Sequence, residues 1–242
     1  MSARFAGEKV LVAGGTGGLG HAVSLAFLAE EATVIATYRH EEEFNALRSA
    51  AGEHASRLQG HSVDVTDAAA VSQFVQTLVK SQGRLDALVN TVGGYFGGAA
   101  LWEFDTRAFD RMLALNLCSG YNLSRAVVPV MLQQGTGAIV NVASRAAVEH
   151  TGGSAAYAAS KAAAVAMIDV LAADVMGTGV RVNSILPSII DTPANRRAMP
   201  TADFNTWPKP EQIARVVLFL CSKDADVIHG AAIPVYGNGA SV

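Results

Sequence analysis

Tyr157 and Lys161 stand four residues apart in the run Tyr157-Ala-Ala-Ser-Lys161, a spacing that places a phenol and an ammonium on one face of a helix. A tyrosine that ionises near pH ~10 is a poor base at neutral pH, and lowering that value by ~3 units takes about 4 kcal/mol. One unit charge ~4 Å away at an effective dielectric of ~20 supplies about that amount. Lys161 can carry the charge, and so can a cationic cofactor ring. Tuned in this way the phenol is a general acid or base; untuned, the same pair is an ordinary contact on a helix surface.

A second cluster of chemistry lies near the start of the chain. Gly14-Gly15-Thr16-Gly17-Gly18-Leu19-Gly20 follows a short apolar run and leads directly into a helical pattern. The first amides of a helix have no partner within it, the helix dipole is positive there, and missing Cβ atoms let a pyrophosphate approach the main chain. Gly15-x-Gly17-x-x-Gly20 and Gly14-x-x-x-Gly18-x-Gly20 are both dinucleotide-binding spacings. After the next apolar run comes Thr37-Tyr38-Arg39. An acid at this point would bond the adenosine ribose and repel a 2′-phosphate. No acid stands there, and Arg39 offers a planar bidentate partner for phosphate, unless it pairs with the acids at 41 to 43. The residues therefore favour NADP(H), with NAD(H) possible.

The elements that must position these groups alternate in type. Short apolar runs at residues 9–13, 33–37, 61–64, 85–90, 138–142, 180–186 and 232–236 read as strands, and helical periodicity covers 19–30, 41–51, 68–82, 107–133, 155–176 and 210–221. Repeated strand-helix-strand units with right-handed crossovers make an α/β fold, a Rossmann-like, doubly wound, seven-stranded and mostly parallel sheet with helices on both faces. Nothing marks a linker or an internal repeat, so residues 1–242 read as one domain. Residues 192–209 carry three prolines and Asn195-Arg196-Arg197, and are expected to form a loop or lid over a substrate.

Of the 242 residues, 50% are hydrophobic and 16% charged, which excludes a disordered chain. A net charge of -3, with no basic block, argues against a nucleic-acid partner. Cys118 and Cys221 lie in separate apolar stretches, and neither they nor the six histidines show metal-ligand spacing. No metal and no disulfide are expected. The first residues lack the apolar core of a signal peptide, and no uninterrupted apolar run approaches ~20 residues. A cytoplasmic protein without a membrane partner is the expectation.

Taken together, these residues resemble the short-chain dehydrogenase/reductase family, in particular its carbonyl and 3-oxoacyl reductases. The glycine turn, Asp64, the run Asn90 to Gly93, Asn116, Ser144, Tyr157 with Lys161, and Pro187 to Thr192 occur in family order along nearly the whole chain. The resemblance implies that Tyr157 is the acid or base of a carbonyl/alcohol interconversion and that Ser144 bonds the substrate oxygen. It also implies that Lys161 holds the nicotinamide ribose and lowers the tyrosine pKa, while Asn116 keeps a water in a proton path. Gly14, Thr16, Gly18, Leu19, Gly20, Tyr38, Arg39 and Gly93 would face the cofactor. Asp64 and Val65 would meet its adenine, Asn90 the neighbouring ribose, and Pro187, Ile190 and Thr192 the carboxamide end. The same resemblance implies a homotetramer or homodimer joined through the helices at 107–133 and 155–176.

Some positions depart from the family pattern. Ala13 lacks the hydroxyl that commonly braces the glycine turn, and Gly17 stands where NADP enzymes often carry a basic residue. Thr91 and Val92 replace a frequent Asn-Ala, Ser188 replaces a glycine, and Tyr236-Gly237-Asn238-Gly239 replaces Asp-Gly-Gly. Candidate substrate contacts are Tyr95 and Phe96 in a glycine-flanked loop, Arg145 and His150 near the serine, and Arg196 and Trp207 in the lid. That aromatic loop resembles dihydropteridine reductases, which gives an alternative substrate class. A regulator or scaffold that binds NADP without turnover is the alternative outside enzymes.

Overall fold

The structure is a computed structural model and describes residues 3–237. Seven parallel strands form one sheet in the order β3-β2-β1-β4-β5-β6-β7. They are β1 (Lys9–Ala13), β2 (Thr33–Tyr38), β3 (Leu58–Ser62), β4 (Ala87–Asn90), β5 (Gly137–Val142), β6 (Val180–Pro187) and β7 (Ala232–Val235). The chain winds outward from β1 through β2 to β3, then restarts on the other side of β1 with β4. Loops therefore diverge above the carboxyl ends of β1 and β4, the crevice in which open α/β sheets bind ligands.

The central strands are apolar on both faces because helices cover both. Val10 and Val12 of β1 point to a cluster with Val23 and Phe27 of α1 (Gly18–Ala29) and Ile213 and Val217 of α8 (Pro210–Cys221). Leu11 and Ala13, one residue out of phase, meet Val71 and Val75 of α3 (Ala68–Gln82) and Leu123 and Val127 of α5 (Ser119–Gln134). Leu47 of α2 (Glu41–Ala50) joins the first cluster, and Ile168 and Ala172 of α6 (Ala155–Asp174) join the second. By length and composition α6 could cross a membrane, but Ala156, Ala164, Ile168 and Ala172 are buried in the protein.

Three expectations about elements are corrected. The strand expected at 61–64 starts earlier, pairing Val34 with Leu58 through Tyr38 with Ser62. Gly60 interrupts its pattern because the Phe44 ring occupies the space a Cβ would need. The single helix expected over 107–133 is α4 (Thr106–Leu113), a π turn (Ala114–Cys118) and α5. The expected loop at 192–209 contains α7 (Pro193–Ala198), with Thr192 as its N-cap accepting from the Asn195 amide at 3.2 Å. Asn238 and Gly239 lie outside the described residues.

Candidate active site

The glycine turn is held from several sides. Gly14 has a left-handed backbone (φ 72°), and its amide donates to Thr37 Oγ1 at 2.9 Å. Ser24 donates to the Gly15 carbonyl at 3.0 Å. A Cβ on Gly15 would lie 2.7 Å from that of Ala36, one on Gly18 would lie 2.8 Å from Thr192 Cγ2, and one on Gly20 would strike the Gly14 carbonyl. Gly17 differs, since a Cβ there would meet nothing closer than 3.5 Å. Leu19 is buried under the turn. The result is a bare peptide surface at the start of α1, and it fits a dinucleotide pyrophosphate.

The carboxyl ends of β2 and β3 lie to one side of this turn. Tyr38 stacks on Phe44 with ring centroids 5.0 Å apart. Arg39 is exposed and, among the described residues, forms no ion pair with the acids at 41 to 43. Thr16 Oγ1 instead donates to the Glu43 carboxylate at 3.0 Å. Asp64 accepts from the Thr66 hydroxyl at 2.7 Å and its amide at 2.9 Å. Those bonds, with a smaller contribution from Arg39, hold its carboxyl below the usual range. Val65 is buried, and its carbonyl accepts from Asn122 at 3.1 Å.

The Asn90 side chain is held by its neighbours at the carboxyl end of β4. Its amide donates to Asn141 Oδ1 at 3.0 Å and its oxygen accepts from the Val92 amide at 3.2 Å. With the side chain only 3% exposed, it ties β4 to β5. Pro187 is the last, buried residue of β6. The Ile190 carbonyl is occupied by the Thr192 amide and Asn195 Nδ2, both at 2.8 Å. Thr192 thus joins the lid to α1, as its methyl touches the Gly18 backbone region.

Above β5 the helix and loop residues converge. Ser144 sits just past the strand and accepts from the Ala146 amide at 3.2 Å. Burial pushes the Tyr157 phenol above its ordinary ionisation range; the Ser144 hydroxyl pulls it back, and the neighbouring Tyr95 raises it. One helical turn on, Lys161 is 5% exposed and donates to the Val142 carbonyl at 3.0 Å. Burial brings its ammonium down to about 8. Gly93 passes so close that a Cβ there would lie 2.9 Å from both Lys161 Nζ and Asn116 Oδ1.

Asn116 lies in the π turn, an insertion often found at functional sites because it re-aims a side chain out of register. Its Oδ1 accepts from the Gly94 amide at 3.0 Å, and its Nδ2 donates to the Gly94 carbonyl at 3.1 Å and Ser160 Oγ at 3.0 Å. These bonds clamp the Gly94 backbone beside Lys161 and leave Oδ1 room for one further donor.

The candidate substrate residues separate. Tyr95 reaches the site, its ring edge-on to that of Tyr157 at 5.0 Å. Phe96 instead packs on Phe104 at 5.6 Å. Arg145 lies 5.5 Å from the Tyr236 ring and 3.6 Å from the Glu149 carboxylate. His150 lies 3.2 Å from the Ala146 carbonyl and lines a cavity of about 520 Å³ with Trp102, Ala158 and Ala162. Arg196 is held by Asp191 (Nη2 to Oδ2, 2.8 Å) and by the Phe204 ring at 4.7 Å. Trp207 is 9% exposed against Phe204, which anchors the lid. Phe96, Arg196 and Trp207 thus rest on protein partners, whereas Tyr95 reaches the Tyr157 ring.

The sequence reading missed the Val142 carbonyl, Thr91 and Glu43. A backbone acceptor carries no sequence signal, and the other two act across turns far apart in the chain.

Comparison with known proteins agrees with this geometry. A family profile for short chain dehydrogenases matches residues 8–203. The 3-oxoacyl-[acyl-carrier-protein] reductase of Thermotoga maritima is 32% identical over 242 residues, covering 97% of this chain and 98% of that protein. A solved structure of ElxO with NADP bound superposes with a TM-score of 0.90 at 26% identity, covering 95% of this chain and 97% of that one. NAD+-bound xylitol dehydrogenase superposes at 0.88 with 25% identity, covering 96% and 98%. Sheet order, glycine turn and these relatives together place the chain in the short-chain dehydrogenase family, as an NAD(P)-dependent oxidoreductase acting on alcohol and carbonyl groups.

Proposed function

We propose that the protein interconverts a small-molecule carbonyl and a secondary alcohol with a preference for NADP(H), using Tyr157 as the proton donor and acceptor. The observation that carries this reading is the meeting, above the carboxyl end of β5, of Ser144 with the half-buried Tyr157, which lies one helical turn from the buried Lys161 and edge-on to Tyr95. The glycine turn would hold the pyrophosphate, Arg39 a 2′-phosphate, and Lys161 the nicotinamide ribose. When bound, the dinucleotide supplies a hydride for reduction or takes one up in oxidation.

In the reducing direction Tyr157 gives its proton to the substrate oxygen as negative charge builds there. Ser144 accepts a hydrogen bond from Ala146, so its own hydrogen is available to the same oxygen, an oxyanion-stabilising contact. A raised phenol pKa keeps that proton in place at neutral pH. In the oxidising direction Tyr157 must become a base, and the Lys161 ammonium favours the phenolate. Asn116 is a positioning residue that fixes the 93–94 backbone against Lys161. Tyr95 forms a wall beside the reacting oxygen, and Arg145 lines the rim near Tyr236. The exposed apolar residues Tyr121 on α5 and Val170 on α6 support assembly of a homodimer or homotetramer through these helices.

The test is turnover of a panel of carbonyls and alcohols by wild type and Tyr157→Phe, with cofactor binding followed by energy transfer from Trp102 and Trp207. Loss of turnover with binding retained is expected. Full activity of the variant would sink the tyrosine assignment, and binding without turnover by wild type would favour a regulator.

A further inference from the structure

The exposed Glu43 in the first turn of α2 accepts a hydrogen bond from Thr16 Oγ1 at 3.0 Å. Thr16 belongs to the glycine turn, and α2 begins just past Arg39, so this bond spans the mouth of the crevice between the ends of β1 and β2. In a dinucleotide-binding α/β fold the adenosine ribose lies between these two segments, and its 2′ substituent faces the residues that follow the second strand. Two opposite charges therefore meet the same small region. Arg39 is exposed and without an ion pair among the described residues, while Glu43 is fixed to the turn by Thr16.

We propose that Glu43 is a specificity-determining residue, whose carboxylate opposes the 2′-phosphate that Arg39 attracts and so limits the preference for NADP(H) over NAD(H). The inference rests on the reading that the glycine turn holds a dinucleotide. Like charges brought together at a binding surface weaken association and discriminate against the ligand that carries the extra charge. A ribose 2′-hydroxyl carries none, and can itself donate to a carboxylate. Thr16 is the second half of the device: its hydroxyl bond holds the exposed carboxylate beside the turn. Glu41 and Glu42 lie in the same helical turn and, among the described residues, make no side-chain bond to the glycine turn, so they supply an internal control of equal charge.

The experiment is a pair of binding titrations, NADPH and NADH, on wild type, Glu43→Gln and Glu42→Gln, at low and high salt. In Glu43→Gln the new side chain can still accept from Thr16 through its amide oxygen, so the contact survives and only the charge is lost. The expected result is a rise of on the order of tenfold in NADPH affinity for Glu43→Gln, with NADH within about twofold and Glu42→Gln close to wild type. The gain should shrink at high salt. An unchanged NADPH/NADH ratio in Glu43→Gln, or an equal change from Glu42→Gln, overturns the proposal while leaving the dinucleotide site intact. Failure of wild type to bind either dinucleotide overturns both.

Discussion

Thr91 donates its side-chain hydroxyl to the Ala13 carbonyl at 2.7 Å, with the Gly14 carbonyl 3.1 Å away. Two departures from the family pattern are thereby one substitution in physical terms. The glycine turn lacks a hydroxyl at position 13, and the first residue after β4 supplies one from the neighbouring strand. The Thr91 amide donates to the same Ala13 carbonyl at 3.0 Å, so the start of the turn is fixed twice by one residue.

Thr91→Val should loosen the turn while keeping the shape of the side chain. Removing one hydrogen bond of this kind costs about 1 kcal/mol of stability. The turn is where a pyrophosphate would rest, so the larger effect should be weaker dinucleotide binding, by on the order of fivefold. Thr91→Ser should restore both. Calorimetric melting and cofactor titration of the two variants decide it; equal binding by Thr91→Val and wild type would show that the brace is redundant.

Gly17 gives a prediction of opposite sign. It is the turn glycine whose missing Cβ leaves open space, and its backbone is extended (φ -71°, ψ 172°), a conformation any residue adopts. Gly17→Arg should therefore fold normally and place a second guanidinium near the 2′ position. NADPH affinity is expected to rise about tenfold with NADH little changed. Gly20→Ala, which must push the Gly14 carbonyl aside, should lose binding of both. If Gly17→Arg weakens NADPH, the 2′ end does not lie at this corner.

What could be read from the sequence follows from where each signal resides. β1 begins and ends as expected because both its faces are apolar and the glycine turn stops it abruptly. β3 is displaced because Gly60 makes room for Phe44, a contact between elements that periodicity along one strand does not record. The π turn at Asn116 adds a residue to a backbone repeat without altering composition. Tyr157 and Lys161 were legible because their spacing is helical, while their partners are a backbone carbonyl and a serine from other elements. Thr192-Pro193 was a helix-start signal, but a six-residue helix among prolines leaves little periodicity to find.

The phenol of Tyr157 responds to its neighbours in opposite senses. After burial, the dominant cause of its raised pKa, the Ser144 hydroxyl lowers it and Tyr95 raises it. Oxidation of an alcohol needs the phenolate, so the pH of half-maximal oxidation should move up in Ser144→Ala and down in Tyr95→Phe. Ser144→Ala should also lose turnover at every pH, because it removes a bond to the substrate oxygen, whereas Tyr95→Phe should retain it. Oxidation rate against pH for the three proteins is the measurement; parallel shifts in the two variants would sink the argument.

Lys161 makes the stability of the cofactor-free protein depend on pH. Burial lowers its ammonium to about 8 from the ordinary 10.5, so between these values the unfolded chain binds more protons than the folded one. Stability must then rise with pH across that window. Below about 8 the ammonium is held charged in a site that disfavours it, a destabilisation on the order of 3 kcal/mol for a shift of this size. Lys161→Met removes this effect but leaves the Val142 carbonyl without its donor, which shifts stability by an amount independent of pH. The difference in melting temperature, variant minus wild type, should therefore fall by several degrees between pH 7 and pH 10. A constant difference would show that the lysine ionises as it does in the unfolded chain, and would remove the burial argument for its role beside Tyr157.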